Sequence, residues 1–139
     1  MKNKFATVAA GLGLLVGAAV PMAAHHSFAA EYDTTKPVTM TGKFVRMDWT
    51  NPHSWVYFTV TDQATGKEVE WRAETPPPNA MVRAGMRPNM LHAGDVITLQ
   101  GNLAKDGSNL MWCGMVRFPN GAVIGLQAVP PPDAKGDAK

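Results

Sequence analysis

The sequence predicts a mainly β fold, and three observations support this prediction. Between residues 37 and 127, apolar and polar residues alternate with a period of two, which is typical of strands with one buried face. Turn-forming stretches such as Gly94-Asp95 and residues 105–108 separate the alternating segments. The period is lost only after the prolines at 76–78, where a helix is predicted.

Three strands are predicted before the helix. Residues 38–49, 54–62 and 67–74 are rich in β-branched and aromatic side chains, and the TNPH turn at 50–53 joins the first two segments. The second segment has bulky residues on both faces, which favours a central strand. In the third segment, charged residues alternate with apolar ones. Its glutamates are therefore predicted to form a solvated face: Glu68, Glu70 and Glu74.

The helix is predicted to be short. Asn79 is a residue type that caps helix N-termini, so the helix is expected from Ala80 to about Ala84. Gly85 suits the C-cap, where a left-handed backbone conformation is needed. The residues expected to face the core are Met81, Val82 and Met86.

Further strands are predicted over residues 96–101, 110–118 and 122–127, with turns between them. Three strands, a short helix and two or three more strands are the element order of a small OB-like Greek-key barrel of five to six strands. The helix then lies between strands 3 and 4. A β-sandwich with a helical insert is the alternative.

The N-terminus predicts export. Lys2 and Lys4 precede an apolar run over residues 5–20, and small residues follow, which is the order of a secretory signal peptide. The run is too short and too rich in glycine for a membrane-spanning helix. Residues 1–24 are therefore expected to be removed, leaving a periplasmic or secreted protein with no stable membrane span. Cleavage before Ala30 is the alternative, because Ser27-Phe28-Ala29 fits the small-x-small pattern.

The remaining chain is expected to comprise a mature N-terminal segment (25–36), a barrel domain (37–127) and a disordered Pro-rich tail (128–139). The full chain has 13 basic and 11 acidic residues, and two of the basic ones lie in the predicted signal peptide. The mature chain is therefore formally neutral. This balance argues against nucleic-acid binding, which needs a basic surface.

Several ordered motifs resemble a family of small exported bacterial proteins catalogued as a domain of unknown function. They are HHSFAAEYD (25–33), the block from VTMTGKF to TNPHSWVYFTV (38–60), LHAGDVITLQG (91–101) and AKDGSN (104–109). The resemblance covers most of residues 25–125. It implies an exported, OB-like domain with no established activity.

Two of the four histidines stand where the signal peptide is expected to end. If the mature chain begins at His25, its amine and imidazole form a chelate that suits Cu(II). His53, in the turn between the first two strands, is the natural third ligand, and His26 is a further candidate. The contrary interpretation is that His25 and His26 are a polar spacer and that His53 is a turn residue bonded to backbone.

A second candidate metal site is softer in character. Residues 81–92 carry three thioethers and a histidine, donors that suit Cu(I): Met81, Met86, Met90 and His92. Methionine at such irregular spacing is also common as core filler around a short helix.

No nucleophile triad, phosphate loop or paired Cys-x-x-Cys motif is present in the sequence, so no enzyme is predicted. Cys113, the only cysteine, is expected to be buried. The first hypothesis is an exported small binding protein that holds copper. The second is a non-catalytic module that binds a small molecule, a glycan or a periplasmic partner protein through its aromatic residues, and an oxidase or hydrolase built on the copper site is a distant third. The aromatic candidates are Trp49, Trp55, Tyr57 and Trp71.

Overall fold

The computed structural model describes the backbone of residues 27–126 and the side chains of residues 28–126. The chain divides into two compact units, Met1–Ala30 and Glu31–Lys139. A five-residue helix, α1, covers Ser27–Glu31. Within residues 27–126, no helix has the length and apolar character needed to cross a membrane.

The second unit contains six strands and one helix. In chain order they are β1 (Tyr32–Asp48), β2 (Ser54–Thr61), β3 (Glu68–Thr75), α2 (Pro78–Ala84), β4 (Val96–Ala104), β5 (Leu110–Arg117) and β6 (Val123–Gly125). The strands are hydrogen-bonded in the order β3-β2-β1-β4-β5-β6, and every one of these pairings is antiparallel.

A sixth pairing closes the sheet. The end of β3 runs parallel to the start of β5, with Ala73 opposite Met111. Strands β1 to β5 thereby form a closed barrel, and β6 pairs with the last part of β5, beyond the residues that pair with β3. The predicted OB-like barrel with one helix between strands 3 and 4 is confirmed.

The core lies inside the barrel and follows the predicted alternation. In β2, Val56 and Phe58 are fully buried, whereas Trp55 and Tyr57 face outward and are half-buried. Each fully buried apolar side chain stabilises the fold by roughly 1.5–3 kcal/mol relative to leaving it in water. The other fully buried apolar side chains of the core cluster are Ala73, Met81, Met86, Ile97, Leu99, Met111, Cys113 and Val116.

Strand β1 is long because it serves both halves of the barrel. Its first part pairs with β4 and its second part with β2, with a bulge between Phe44 and Arg46. A Cβ at Gly42 would lie 2.3 Å from the carbonyl oxygen of Thr59. Only glycine permits this close approach of β1 to β2, so Gly42 allows the strand to curve around the barrel.

Strand β1 begins at Tyr32, earlier than the predicted start near Pro37. Tyr32 pairs with Ala104 of β4, and the register shifts before the pairing resumes at Pro37. Residues 33–36 are polar and do not alternate, so periodicity alone gave no sign of a strand there.

The predicted helix cap was wrong at one end and is confirmed at the other. Helix α2 begins at Pro78 with Pro77 as N-cap, and no side chain caps it, so Asn79 lies inside the first turn. Proline starts the helix because its φ angle is already helical and it has no N–H to satisfy. Gly85 ends the helix with φ 101° and returns its N–H to Val82.

The buried side of α2 was also predicted only in part. Met81 and Met86 are buried in the core, as expected. Val82 was expected there too but is 41% exposed. Successive helical residues are about 100° apart, so a helix whose Met81 points inward turns the neighbouring position towards solvent.

Candidate functional site

One corner of the outer barrel surface brings side chains of several strands together. Glu74 of β3 lies opposite Trp55 of β2 on one side and Trp112 of β5 on the other. Paired residues point to the same face, so these side chains share the outer face. Glu74 and Trp112 are nevertheless only 7% exposed, and Tyr32 at the start of β1 is 2% exposed. Outward-facing groups are therefore shielded from water here.

The Glu74 carboxylate is the centre of this corner. The Tyr32 hydroxyl donates a hydrogen bond to its Oε2 atom, and Nδ1 of His53 contacts its Oε1 atom. A buried carboxylate is costly unless its oxygens are hydrogen-bonded. Each of the two oxygens has its own partner from a different part of the chain.

Trp112 packs against both partners of Glu74. Its ring centre lies 5.6 Å from that of His53 in an edge-to-face arrangement at 83°, and 6.1 Å from that of Tyr32 at 60°. Both spacings fall within the range of favourable aromatic pairs. The indole therefore restricts the rings of His53 and Tyr32 at the same time.

The loop between β1 and β2 positions His53. The Thr50 hydroxyl donates to the His53 carbonyl oxygen at 2.8 Å, and the buried Ser54 hydroxyl lies 3.3 Å from both the N–H and the carbonyl oxygen of Thr50. The Thr75 hydroxyl donates to the Ser54 carbonyl at 3.1 Å. Because Thr75 follows Glu74 directly, this bond fixes the loop to the same end of β3.

The backbone on either side of Tyr32 is fixed as well. The Asn102 side-chain amide donates to the Asp33 carbonyl at 2.8 Å, and the Lys105 N–H donates to the Glu31 carbonyl at 2.8 Å. Asn102 itself is fully buried and pairs with Trp112 across β4 and β5. The start of β1 is thus attached to the same corner of the barrel.

The bond to Glu74 determines which nitrogen of His53 is open. An ionised carboxylate only accepts hydrogen bonds, so Nδ1 carries the proton and Nε2 of a neutral ring has a lone pair. The His53 side chain is 43% exposed, and Nε2 has no hydrogen-bond partner among residues 28–126. Histidines that bind a metal through one ring nitrogen usually donate the other ring N–H to a carboxylate, a backbone carbonyl or water.

Tyr32 is held in its protonated form. Burial raises the pKa of its hydroxyl above the ordinary value, and the hydrogen bond to Glu74 and the charges of Glu74 and Glu31 raise it further, against a lowering by Arg72. Deprotonation would place two negative charges side by side in a poorly solvated place. Tyr32 therefore remains a hydrogen-bond donor to Glu74 across the physiological pH range.

The predicted copper ligands fall into two groups. His53 lies in the corner just described, whereas His25 and His26 lie outside the described residues. Within residues 28–126, no group of three or more histidine, cysteine or acidic side chains is placed to hold a metal ion. Any site at His53 therefore needs donors beyond these side chains.

The soft-metal candidates are not brought together. Met81 and Met86 are buried in the core, while Met90 is 38% exposed and its sulfur accepts the Arg87 N–H at 3.2 Å. His92 has an 80% exposed side chain, with Nδ1 3.9 Å from Oδ2 of Asp95. The positions of the two buried thioethers match the core-filler interpretation.

Two of the four aromatic candidates lie on the outer face with arginines over them. The guanidinium of Arg46 is 3.5 Å from the ring centre of Tyr57, and that of Arg72 is 5.6 Å from the ring centre of Trp55. Both pairs have cation–π geometry. Arg46 also forms an ion pair with Asp48.

The other two aromatic candidates pack against the core. Trp71 lies opposite Phe58 in the β2–β3 register, so it points inward, and Trp49 packs on the same core cluster. The four aromatic residues therefore do not form one continuous binding face.

Glu74, Tyr32 and Trp112 were not predicted as site residues. Glu74 was expected on a solvated strand face, and this is wrong because the β3–β5 pairing and Tyr32 cover it. One signal was available: Met111, Trp112 and Cys113 are consecutive apolar residues, which indicates a strand covered on both faces.

Cys113 behaves as predicted. It is fully buried, and burial raises the pKa of its thiol to about 12. The thiolate that would act as a nucleophile or metal ligand is therefore disfavoured.

Comparison with known families gave one finding. A family model described as a family of unknown function (DUF6152) matches residues 12–111, so the expected resemblance to an uncharacterised family is confirmed. A comparison with curated proteins gave no match.

Proposed function

We propose that this chain, which belongs to the DUF6152 family of unknown function, is an exported protein that binds a copper ion through Nε2 of His53. Its role in this proposal is binding without catalysis. His25 and His26 are proposed as further donors.

The observation that supports the proposal most strongly is the contact between His53 and the buried carboxylate of Glu74. Such a carboxylate fixes the tautomer, sets the ring orientation and increases the basicity of the open nitrogen. Loop side chains on a rigid barrel are also common carriers of function.

Copper is preferred over other metals because of the donors that the sequence offers. Imidazole nitrogens suit copper, zinc and nickel, and affinity for a nitrogen site is greatest for Cu(II) in the divalent series. If the mature chain begins at His25, its terminal amine adds a further nitrogen donor.

Export is the second part of the proposal, and it is supported by the Lys2, Lys4 and apolar pattern of residues 1–24. The intact mass of protein recovered from the periplasm tests it. A mass that corresponds to a chain starting at His25 places both N-terminal histidines in the mature protein. A mass that corresponds to a chain starting at Ala30 shows that cleavage removes both histidines and leaves His53 as the predicted ligand. A full-length cytoplasmic product contradicts export.

The copper part is tested by calorimetric titration of Cu(II) into the protein that begins at His25. We expect one binding event whose affinity falls by more than roughly 10–100-fold in His53→Ala. A His25→Ala, His26→Ala double variant reports separately whether the N-terminal pair contributes. Equal binding by wild type and His53→Ala would contradict the proposal.

A second candidate function is supported by the outer face of β2. Trp55 and Tyr57 are half-buried there, with Arg72 and Arg46 over their rings. Stacked arginine and aromatic groups recognise planar or anionic ligands, which fits a module that binds a small molecule, a glycan or a partner protein. Quenching of tryptophan fluorescence across a ligand panel tests this, with Trp55→Phe as the variant that should lose the response.

A further inference from the structure

The feature that carries a further inference is the side of Glu74 that faces away from His53. The Tyr32 hydroxyl donates to Oε2, while His53 contacts Oε1. The two donors bond to different oxygens of one carboxylate. The Tyr32 hydroxyl therefore acts on the imidazole through that carboxylate.

The bond from Tyr32 restricts how the carboxylate can turn. Rotation about the terminal torsion of a glutamate side chain is soft, so one hydrogen bond leaves its plane poorly determined. A second donor on the other oxygen fixes that plane. Because Glu74 is 7% exposed and Tyr32 is 2% exposed, water is poorly placed to replace the tyrosine hydroxyl.

The surroundings of Tyr32 make this bond persistent. Hydrogen bonds on both sides of the residue hold its backbone to β4 and the following turn, and Trp112 packs against its ring. The same indole packs against His53. The Tyr32 ring, the His53 ring and Glu74 are thus all neighbours of the Trp112 side chain.

We infer that Tyr32 is a positioning residue for the metal site: it fixes the Glu74 carboxylate so that His53 carries its proton on Nδ1 and presents Nε2. This inference rests on the proposed function for the identity of the ligand nitrogen. It goes further because it assigns the state of His53 in the metal-free protein to a residue that touches no metal.

The inference predicts a specific consequence of removing one oxygen atom. In Tyr32→Phe the ring still fills its place, but Oε2 loses its donor and the carboxylate can turn away from Nδ1. The Nε2-protonated tautomer then becomes populated. Copper affinity is expected to fall about 10-fold, at the lower end of the effect of residues that support a metal ligand.

The test measures the tautomer of His53 directly in metal-free protein by long-range ¹H–¹⁵N NMR of the imidazole, with His53→Ala to assign the signals. Tyr57→Phe is the matched control, because Tyr57 is the only other tyrosine and pairs with Arg72 in the β2–β3 register, where Glu74 pairs with Trp55. We expect an Nδ1-protonated ring in wild type and Tyr57→Phe, and a mixture in Tyr32→Phe.

The same variants are then titrated with Cu(II), so that the two proposals fail in different ways. An unchanged tautomer and unchanged copper affinity in Tyr32→Phe would overturn the role of Tyr32 while leaving copper binding intact. The expected tautomer shift without copper binding by any variant would support the positioning role and contradict the proposed function. The wild-type spectrum needs no variant: an Nε2-protonated ring there would overturn the inference at once.

Discussion

Two regions of this barrel carry a histidine that the sequence marked as a metal candidate, and they differ in what surrounds the ring. His53 contacts a buried carboxylate and an indole, and its loop is fixed to β3 by side-chain hydrogen bonds. His92 is 80% exposed, and its nearest carboxylate oxygen is 3.9 Å away on Asp95. The two histidines therefore differ in how firmly the ring is oriented by its surroundings, not in residue type.

The neighbours of the two histidines differ in the same way. Around His53, polar groups that belong to the outer face are buried and bonded to one another. In the segment that ends at His92, two of the three thioethers of the predicted soft-metal site, those of Met81 and Met86, are fully buried in the core. A side chain that fills the core is not available to a ligand on the surface.

The largest expected difference between the regions is in copper binding. His53→Ala should weaken Cu(II) binding by more than the roughly 10–100-fold expected of a supporting residue, because it removes a proposed ligand. His92→Ala should leave the affinity unchanged. Calorimetric titration of both variants checks this. Weaker Cu(II) binding in His92→Ala, with unchanged binding in His53→Ala, would contradict this prediction.

Truncating the methionines should affect stability rather than metal binding. Met81→Ala is expected to lower the free energy of unfolding by about 2–5 kcal/mol, because it leaves a cavity in the core. Met90→Ala, at an exposed position, should change it by no more than about 0.5 kcal/mol. Urea denaturation of the two variants gives both numbers. Equal effects would show that the core assignment of Met81 is wrong.

A substitution at Gly101, on the strand next to Trp112, should disturb the surroundings of His53. A Cβ at Gly101 would lie 1.7 Å from the Trp112 carbonyl oxygen, so Gly101→Ala must displace the backbone of β5. We expect a loss of about 1–3 kcal/mol and a changed tryptophan emission spectrum. Gly125→Ala is the control, because nothing lies within 4 Å of its Cβ position. An unchanged spectrum in Gly101→Ala would contradict the tight β4–β5 contact.

The smallest expected signal comes from Cys113. With its pKa raised to about 12, the thiol stays protonated at pH 8, and as a buried group it is closed to reagents. The native protein should therefore react with a thiol reagent only at the rate at which it unfolds, whereas protein in urea should react at once. Rapid labelling of the folded protein would show that β5, which carries both Trp112 and Cys113, opens without global unfolding.

Local sequence pattern determined most of the barrel. The alternation in β2 put Val56 and Phe58 inside and Trp55 and Tyr57 outside, and the structure agrees. The element order was enough to predict an OB-like barrel. The early start of β1 was missed because residues 33–36 are polar and have no alternating pattern, and the β4 register shifts between Tyr32 and Pro37.

The candidate site was predictable only in part. His53 stood out because a histidine follows proline in a turn between strands. Glu74 did not, since its burial depends on the parallel pairing of β3 with β5 and on Tyr32 crossing over it. These contacts join residues distant in sequence, and no local period encodes them.

The most direct test of a copper site at His53 is pulsed EPR of the Cu(II)-loaded protein in which His25 and His26 are both alanine. Coordination through one nitrogen of an imidazole produces a characteristic modulation from the remote nitrogen of the same ring. We expect this modulation in the double variant, and we expect it to persist when His92→Ala is added and to disappear when His53→Ala is added. Modulation that persists after His53→Ala is added, or no modulation in the double variant itself, would contradict a copper site at His53.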